Sequence, residues 1–230
     1  MFRGGVSYTE TRARLMWDSI AFNDSRPFCF FDGKHWHHPR TNFRNFEEFY
    51  KYLIDVNVSD VHVKALPDNG GREWVIDVDF DEKNEQMLKL KISVAHKIFR
   101  HFFGDNVSRI MYSGNRGIHV WLKIDKFPMS ADKSTRAKYY KIFTLPKNIM
   151  LNEIKRGSFI YSVKSVIESY QVINDIKKIF KTNGKIDELI VQFWPVVDGH
   201  VFCNLNQIRL PFSYNCKGKK FSEELNSEQV

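Results

Sequence analysis

The chain has 230 residues and a mass of 27.2 kDa, enough for one substantial domain or two small ones, with a single catalytic unit the better fit. Its 43% hydrophobic and 15% aromatic content, with 20 Phe, excludes an unfolded chain, because that much apolar surface builds a core. No run reaches the roughly 18 apolar residues of a membrane span. The opening MFRGGVSYTE lacks the apolar block of a secretory signal, so an intracellular protein without a membrane partner is expected. Three cysteines cannot close a set of bridges, which argues for reduced thiols. The net charge of +8 is uneven: residues 1–121 carry +1 and residues 123–185 carry +9. Such a basic segment suits a polyanionic partner, and equally a solvated lysine-rich surface.

In chain order, residues 26–31 (RPFCFF) read as a strand, and 43–54 repeat apolar residues with a helical period. After the turn-rich PDNGG, residues 73–80 (EWVIDVDF) alternate. Trp74, Ile76, Val78 and Phe80 take one face, and Val75, Asp77 and Asp79 the other, the pattern of a half-buried strand. Glu73 falls on the acid side, where it would support a site from the strand's start, and Asp81 is expected in a turn. Residues 87–103 read as an amphipathic helix. Runs 109–112 and 117–124 flank SGNRG as a hairpin, and residues 131–182 are mostly helical, clearest as one stripe over 160–180. Strand-like runs return at 188–194 (ELIVQFW) and around 206–210, before a polar tail. With no repeat or linker, the expectation is one α+β domain over 1–230, containing a basic, mostly helical insertion at 125–187.

Three blocks carry chemistry. Asp77 and Asp79, two apart on an apolar strand, project from one face and repel, a cost that Mg²⁺ or Mn²⁺ relieves. An isolated D-x-D also fits a solvent-facing strand edge. In SGNRGIHVW (113–121), Gly114 and Gly117 permit a tight turn whose amides approach phosphate oxygens. Ser113 adds a hydroxyl, Arg116 a planar fork of donors, and His119 faces away from the aliphatic side of its strand. An ordinary hairpin with an exposed arginine is the alternative. Finally, Asp198 ends an apolar stretch, and Arg209 lies between Ile208 and Leu210, a costly place for a cation unless it faces an anion. Asp198 would be the third carboxylate of a two-metal site, and Lys217 follows in a glycine-containing loop.

Taken in order, EWVIDVDF, SGNRGIHVW and VVDGHV…NQIRLPFSYNCKG resemble the three signature motifs of the archaeo-eukaryotic primase superfamily, the catalytic small subunit of DNA primase. Within it they are most similar to the baculovirus-type late expression factor 1 group of viral primases. The resemblance implies that Asp77, Asp79 and Asp198 bind a pair of Mg²⁺ or Mn²⁺ ions. It also implies that Ser113, Arg116, His119, Arg209 and Lys217 hold the triphosphate of an incoming nucleotide. The implied activity is template-directed synthesis of short RNA primers from ribonucleoside triphosphates on single-stranded DNA during viral replication, in the host nucleus. An accessory subunit like late expression factor 2 is expected, because the chain stops soon after its last motif. Asn215 stands where the family usually has His, and Gly218 follows Lys217 with no Thr. Structural zinc is not expected: no C-x-x-C exists, and Cys29 with His35, His37 and His38 is the sole conceivable cluster. A primer-extending or gap-filling polymerase, a metal-dependent nuclease and a non-catalytic nucleic-acid-binding module are the competing functions.

Overall fold

The computed structural model describes residues 6–180 and 184–226. In chain order the elements are α1 (Glu10–Asp18), β1 (Phe28–Phe31), β2 (Trp36–His37), α2 (Phe46–Asp55), β3 (Asp60–Val63), β4 (Val75–Asp79) and α3 (Glu85–Phe103). Next come β5 (Val107–Tyr112), β6 (Gly117–Leu122), α4 (Lys133–Tyr140), α5 (Phe159–Glu168), α6 (Tyr170–Phe180) and α7 (Ile186–Gln192). The chain then forms α8 (Gly199–Cys203), β7 (Ile208–Arg209), β8 (Tyr214–Asn215), β9 (Lys220–Phe221) and β10 (Glu223–Glu224). Thr9, Asn45, Asn84, Asp132, Ser158 and Asp198 each start a helix by accepting a bond from a free first-turn amide.

The α+β expectation holds. Two four-stranded antiparallel sheets form, ordered β2-β1-β3-β7 and β10-β5-β6-β4, beside a small β8-β9 ribbon. The second sheet turns Trp74, Ile76, Val78, Ile118, Val120 and Leu122 into one core with α3, α5, α6 and α7. Its other face is divided by β7, the edge strand of the first sheet. Ile208 and Leu210 join a second core with Val75, Met111 and Trp121, closed by α1 and α2. Arg209 turns the opposite way, into a cleft where Asp77, Asp79 and His119 emerge from the second sheet.

Four features differ from the sequence reading. Residues 188–194 lie largely in a helix, α7, since a short apolar run fits a buried helix as well as a strand. Glu188 accepts from the Lys185 amide at 3.3 Å, and Phe193 and Trp194 beyond the helix pack on Phe180 and Phe159. The stripe over 160–180 is two helices, broken at Ser169, whose extended ψ of 141° turns the chain. Residues 181–182 of the expected helical stretch and the last four of the tail fall outside the described residues. β3 was unforeseen, although Asp60-Val-His-Val63 alternates. Glu73 does not support the acid pair: it is buried against Arg26, whose Nη1 donates to both carboxylate oxygens at 2.8 and 3.0 Å.

That buried ion pair ties the segment before β1 to the segment before β4. Removing one partner of such a pair costs about 3–5 kcal/mol, because the other charge stays out of water. Glu73→Gln is therefore expected to lower unfolding free energy by about 3 kcal/mol in urea titrations. The double change Arg26→Met with Glu73→Leu should recover most of it; an unaltered midpoint for Glu73→Gln would contradict the pairing.

Candidate active site

Asp77 and Asp79 share the cleft face of β4, as the alternation predicts, and Asp77 pairs across the sheet with His119. Burial raises the Asp77 carboxyl to about 6, and the nearby charge of Asp198 adds to the effect. Asp79 is also raised, by burial and then by the charge of Asp77. Among the described residues neither forms an ion pair with lysine or arginine. Asp198 reaches this corner through the backbone: its amide donates to the Asp77 carbonyl at 2.8 Å, and Val197 bridges to Val78. Its Oδ1 caps α8 by accepting from the amides of His200 and Val201 at 2.7 and 3.0 Å. Fully buried Arg72 donates to the Val201 carbonyl at 2.9 Å, fastening α8 from behind, and its charge opposes the rise at Asp77. Among the described residues no group of three His, Cys, Asp or Glu side chains is assembled to hold a metal. The acids converge as a pair, with Asp198 exposed beside them.

The turn before β6 is built by Ser113. Its buried hydroxyl oxygen accepts from the amides of Gly117 at 3.2 Å and Asn115 at 3.4 Å, and Gly114 takes φ +81°. A Cβ at Gly117 would stand 1.8 Å from the Val78 carbonyl oxygen, so only glycine lets β6 begin against β4. Arg116 projects from this turn, with Nη1 3.3 Å from Asp81, which lies beyond the strand as expected. His119 is buried with Nε2 3.5 Å from Asp77 Oδ1. Burial, then the charge of Arg209, lowers its imidazole to about 3, so His119 is neutral and acts through one N–H and one lone pair.

Arg209 faces the cleft from β7, opposite His62 on β3, and pairs with buried Asp60 while donating to the Tyr214 carbonyl at 2.5 Å. Lys217 is exposed at the cleft mouth. The sequence reading treated Asn215 as a departure from pattern, and the structure makes it a clamp. Its Nδ2 donates to the Ser113 carbonyl at 2.9 Å, and its Oδ1 accepts from the amides of Lys217 and Gly218 at 3.0 and 3.2 Å. Gly218 passes so close to Gly114 that a Cβ would lie 1.8 Å from its carbonyl oxygen.

Asp77, Asp79, Ser113, His119, Arg209 and Lys217 thus line one cavity of about 250 Å³. Arg116 and Asp198 stand outside its lining, on Asp81 and at the head of α8. His62 and Asn215 line it too and were not foreseen as site residues; the alternation of 60–63 was the available signal for His62. Cys29 and His37 lie on opposite faces of the first sheet, since Cys29 registers with His62 and His37 with Phe30.

Because the folded protein holds a proton on Asp77 more tightly than the unfolded chain, this group favours folding at low pH and loses that contribution as pH rises through about 6. In metal-free protein Asp77→Asn is expected to stabilise the fold at pH 8 by about 3 kcal/mol, since each tenfold difference in proton affinity between folded and unfolded chain is worth about 1.4 kcal/mol. The gain should shrink toward zero at pH 4. Thermal unfolding at both pH values tests this, and a destabilised variant at pH 8 would refute it.

The comparisons with known proteins follow the same residues. The DNA primase small subunit family matches residues 76–226, from β4 through β10. The chain is 42% identical over 227 residues to the DNA primase of Autographa californica nuclear polyhedrosis virus, covering 96% of this chain and 83% of that protein. It is 42% identical over 228 residues to late expression factor 1 of Orgyia pseudotsugata multicapsid polyhedrosis virus, covering 96% and 89%. The chain belongs to the DNA primase small subunit family.

Proposed function

We propose that the chain is a viral DNA primase, a nucleotidyltransferase that makes RNA primers on single-stranded DNA from ribonucleoside triphosphates during viral replication. The observation that carries this reading is the register of β4 on β6. It sets an acid pair that has no lysine or arginine partner among the described residues directly beside the glycine turn and His119.

Two carboxylates held partly out of water, with proton affinity raised by burial and then by the charge of Asp198 at Asp77 and of Asp77 at Asp79, suit a hard divalent cation. Asp77 and Asp79 would hold it, joined by Asp198 through its free Oδ2. Mg²⁺ or Mn²⁺ bound there would supply positive charge for the α-phosphate and the departing pyrophosphate and would lower the proton affinity of the attacking 3′-hydroxyl. The chain's own part is positioning. Arg116, released from Asp81, and Lys217 at the cleft mouth bind the outer phosphates, while the unshared nitrogens of Arg209 face the same cavity. Neutral His119 donates one hydrogen bond without adding a charge, leaving the field of the acids undiminished. Ser113 chiefly shapes the turn, since its oxygen already accepts two amides, and its O–H remains able to donate to a phosphate oxygen. Rigid donors aimed at the triphosphate keep the displacement in line.

The basic stretch 123–185 suits a longer polyanion, the template. Its first helix, α4, packs on α8, with the Tyr140 hydroxyl donating to the Val197 carbonyl at 3.2 Å, so this basic stretch adjoins the element that carries Asp198. Making the first bond between two free nucleotides is the step one chain supports least, which favours an accessory subunit like late expression factor 2. The working compartment in this reading is the host nucleus.

Unprimed single-stranded DNA, ribonucleotides and Mg²⁺ or Mn²⁺ should yield short ribo-oligomers, assayed with and without the accessory subunit. Asp79→Asn should bring synthesis to background while circular dichroism and melting show an intact fold. Extension of a supplied primer with no synthesis from unprimed template would favour the polymerase alternative, and loss of the template itself would favour a nuclease.

A further inference from the structure

The first sheet presents a second chemistry to the cleft. Register places Cys29, Phe31, Trp36, Asp60, His62 and Arg209 on one face, because residues directly opposite in antiparallel strands share a side. Phe28, Phe30, Val61, Val63 and Ile208 fill the core on the other. Cys29 is small, and across it the Trp36 ring reaches His62, centroids 4.8 Å apart at 64°, while Phe31 packs on Trp36 at 5.2 Å. Trp36 remains 40% exposed, a large apolar surface at the rim of a polar cleft. Both ring nitrogens of His62 are out of solvent contact and lack a hydrogen-bond partner among the described residues, an uncommon state that a water or a ligand normally relieves. Burial, then the charge of Arg209, keeps this imidazole neutral.

From the acid strand outward the surfaces follow in order: carboxylates, the cation Arg209, the neutral imidazole of His62, then the indole of Trp36 with Phe31 beside it. Arg209 on β7 and Trp36 on β2 are three strand spacings apart, about 14 Å. The order matches a nucleoside triphosphate laid with its phosphates at the acids and its base outward. We propose that Trp36, backed by His62 and Phe31, is the stacking platform for the base of the incoming ribonucleotide. Stacking accepts all four bases, as a copying enzyme needs, because every base has a π-face. The inference rests on the nucleotidyl-transfer reading of the cleft.

The test uses the full chain with Mg²⁺ and two probes, ATP and inorganic tripolyphosphate. Indole emission should be quenched by ATP and not by tripolyphosphate, and the quench should be missing in Trp36→Phe, which isolates this tryptophan from the other four. In primer synthesis Trp36→Ala should raise the ribonucleotide KM about tenfold with kcat within about twofold, and Trp36→Phe should restore most of the loss. Three results would overturn the platform: equal quenching by both probes, ATP binding by calorimetry with no Trp36 signal, or an unchanged KM in Trp36→Ala. A quench produced by single-stranded oligothymidylate alone and not by ATP would also overturn it, assigning the indole to a template base. Absence of any ATP binding would remove the nucleotidyl-transfer reading together with the platform, whereas the three results above leave that reading standing.

Discussion

A strand that buries every second side chain must send the others somewhere, and on β4 those others are Val75, Asp77 and Asp79. Ile76 and Val78 are sealed in the core shared with α3, α5, α6 and α7, so the strand cannot rotate to take the acids into bulk water. Nor can the pair separate, since a one-residue slip would drive both carboxylates into the hydrophobic core. The charges are therefore held together, half out of water, by the burial of their neighbours. Much of the surrounding architecture answers that constraint. Gly117 allows β6 to pair so closely that His119 lands opposite Asp77, and the bridge from Val78 to Val197 delivers Asp198 to the same corner.

The cations near this corner are arranged so that none of them neutralises the pair. Arg26 is taken by Glu73, Arg209 by Asp60, and Arg116 by Asp81. Arg136 lies over Trp74 and donates to backbone carbonyls, among them that of Arg72. Arg72 acts on Asp77 only through its field, at the back of the site. Each arginine thus fixes structure around the acids while leaving their oxygens to a ligand. A direct arginine bridge would make the empty site more stable and would compete with a divalent ion for the same lone pairs.

What the sequence made legible followed from period. The alternation of 73–80 and 117–122 placed the acids, His119 and the core residues on the faces they occupy, because period two has one solution when one face is apolar. Residues 188–194 had no such signature: a short, mostly apolar run reads alike in a strand and in a short helix, and here the helix buries Leu189 and Ile190 while Val191 stays exposed. The break at Ser169 was hidden because two helices packed into one core can continue a single stripe. Side-chain partners were the least legible part. Parity put Glu73 on the acid side, yet its partner, Arg26, comes from 47 positions upstream, a distance over which no periodicity speaks. From the first sheet, Arg209 was legible as a cation between two apolar residues, whereas His62 was missed, since it meets the site only through tertiary register.

Asn215 shows how a departure from a motif can preserve its geometry. A side-chain amide offers donors and an acceptor at once, and Asn215 uses both, holding the Ser113 carbonyl and the amides of Lys217 and Gly218. The glycine turn and the lysine loop are thereby locked into one unit, with Gly218 crossing Gly114 where no larger residue fits. A residue at this place that touched the triphosphate directly would have to release one of those bonds. In the proposed reading, phosphate recognition would therefore fall to its neighbours and not to position 215. Lys217 keeps its exposed side chain at the cleft mouth while its own amide is held, so the cation stands on a fixed base.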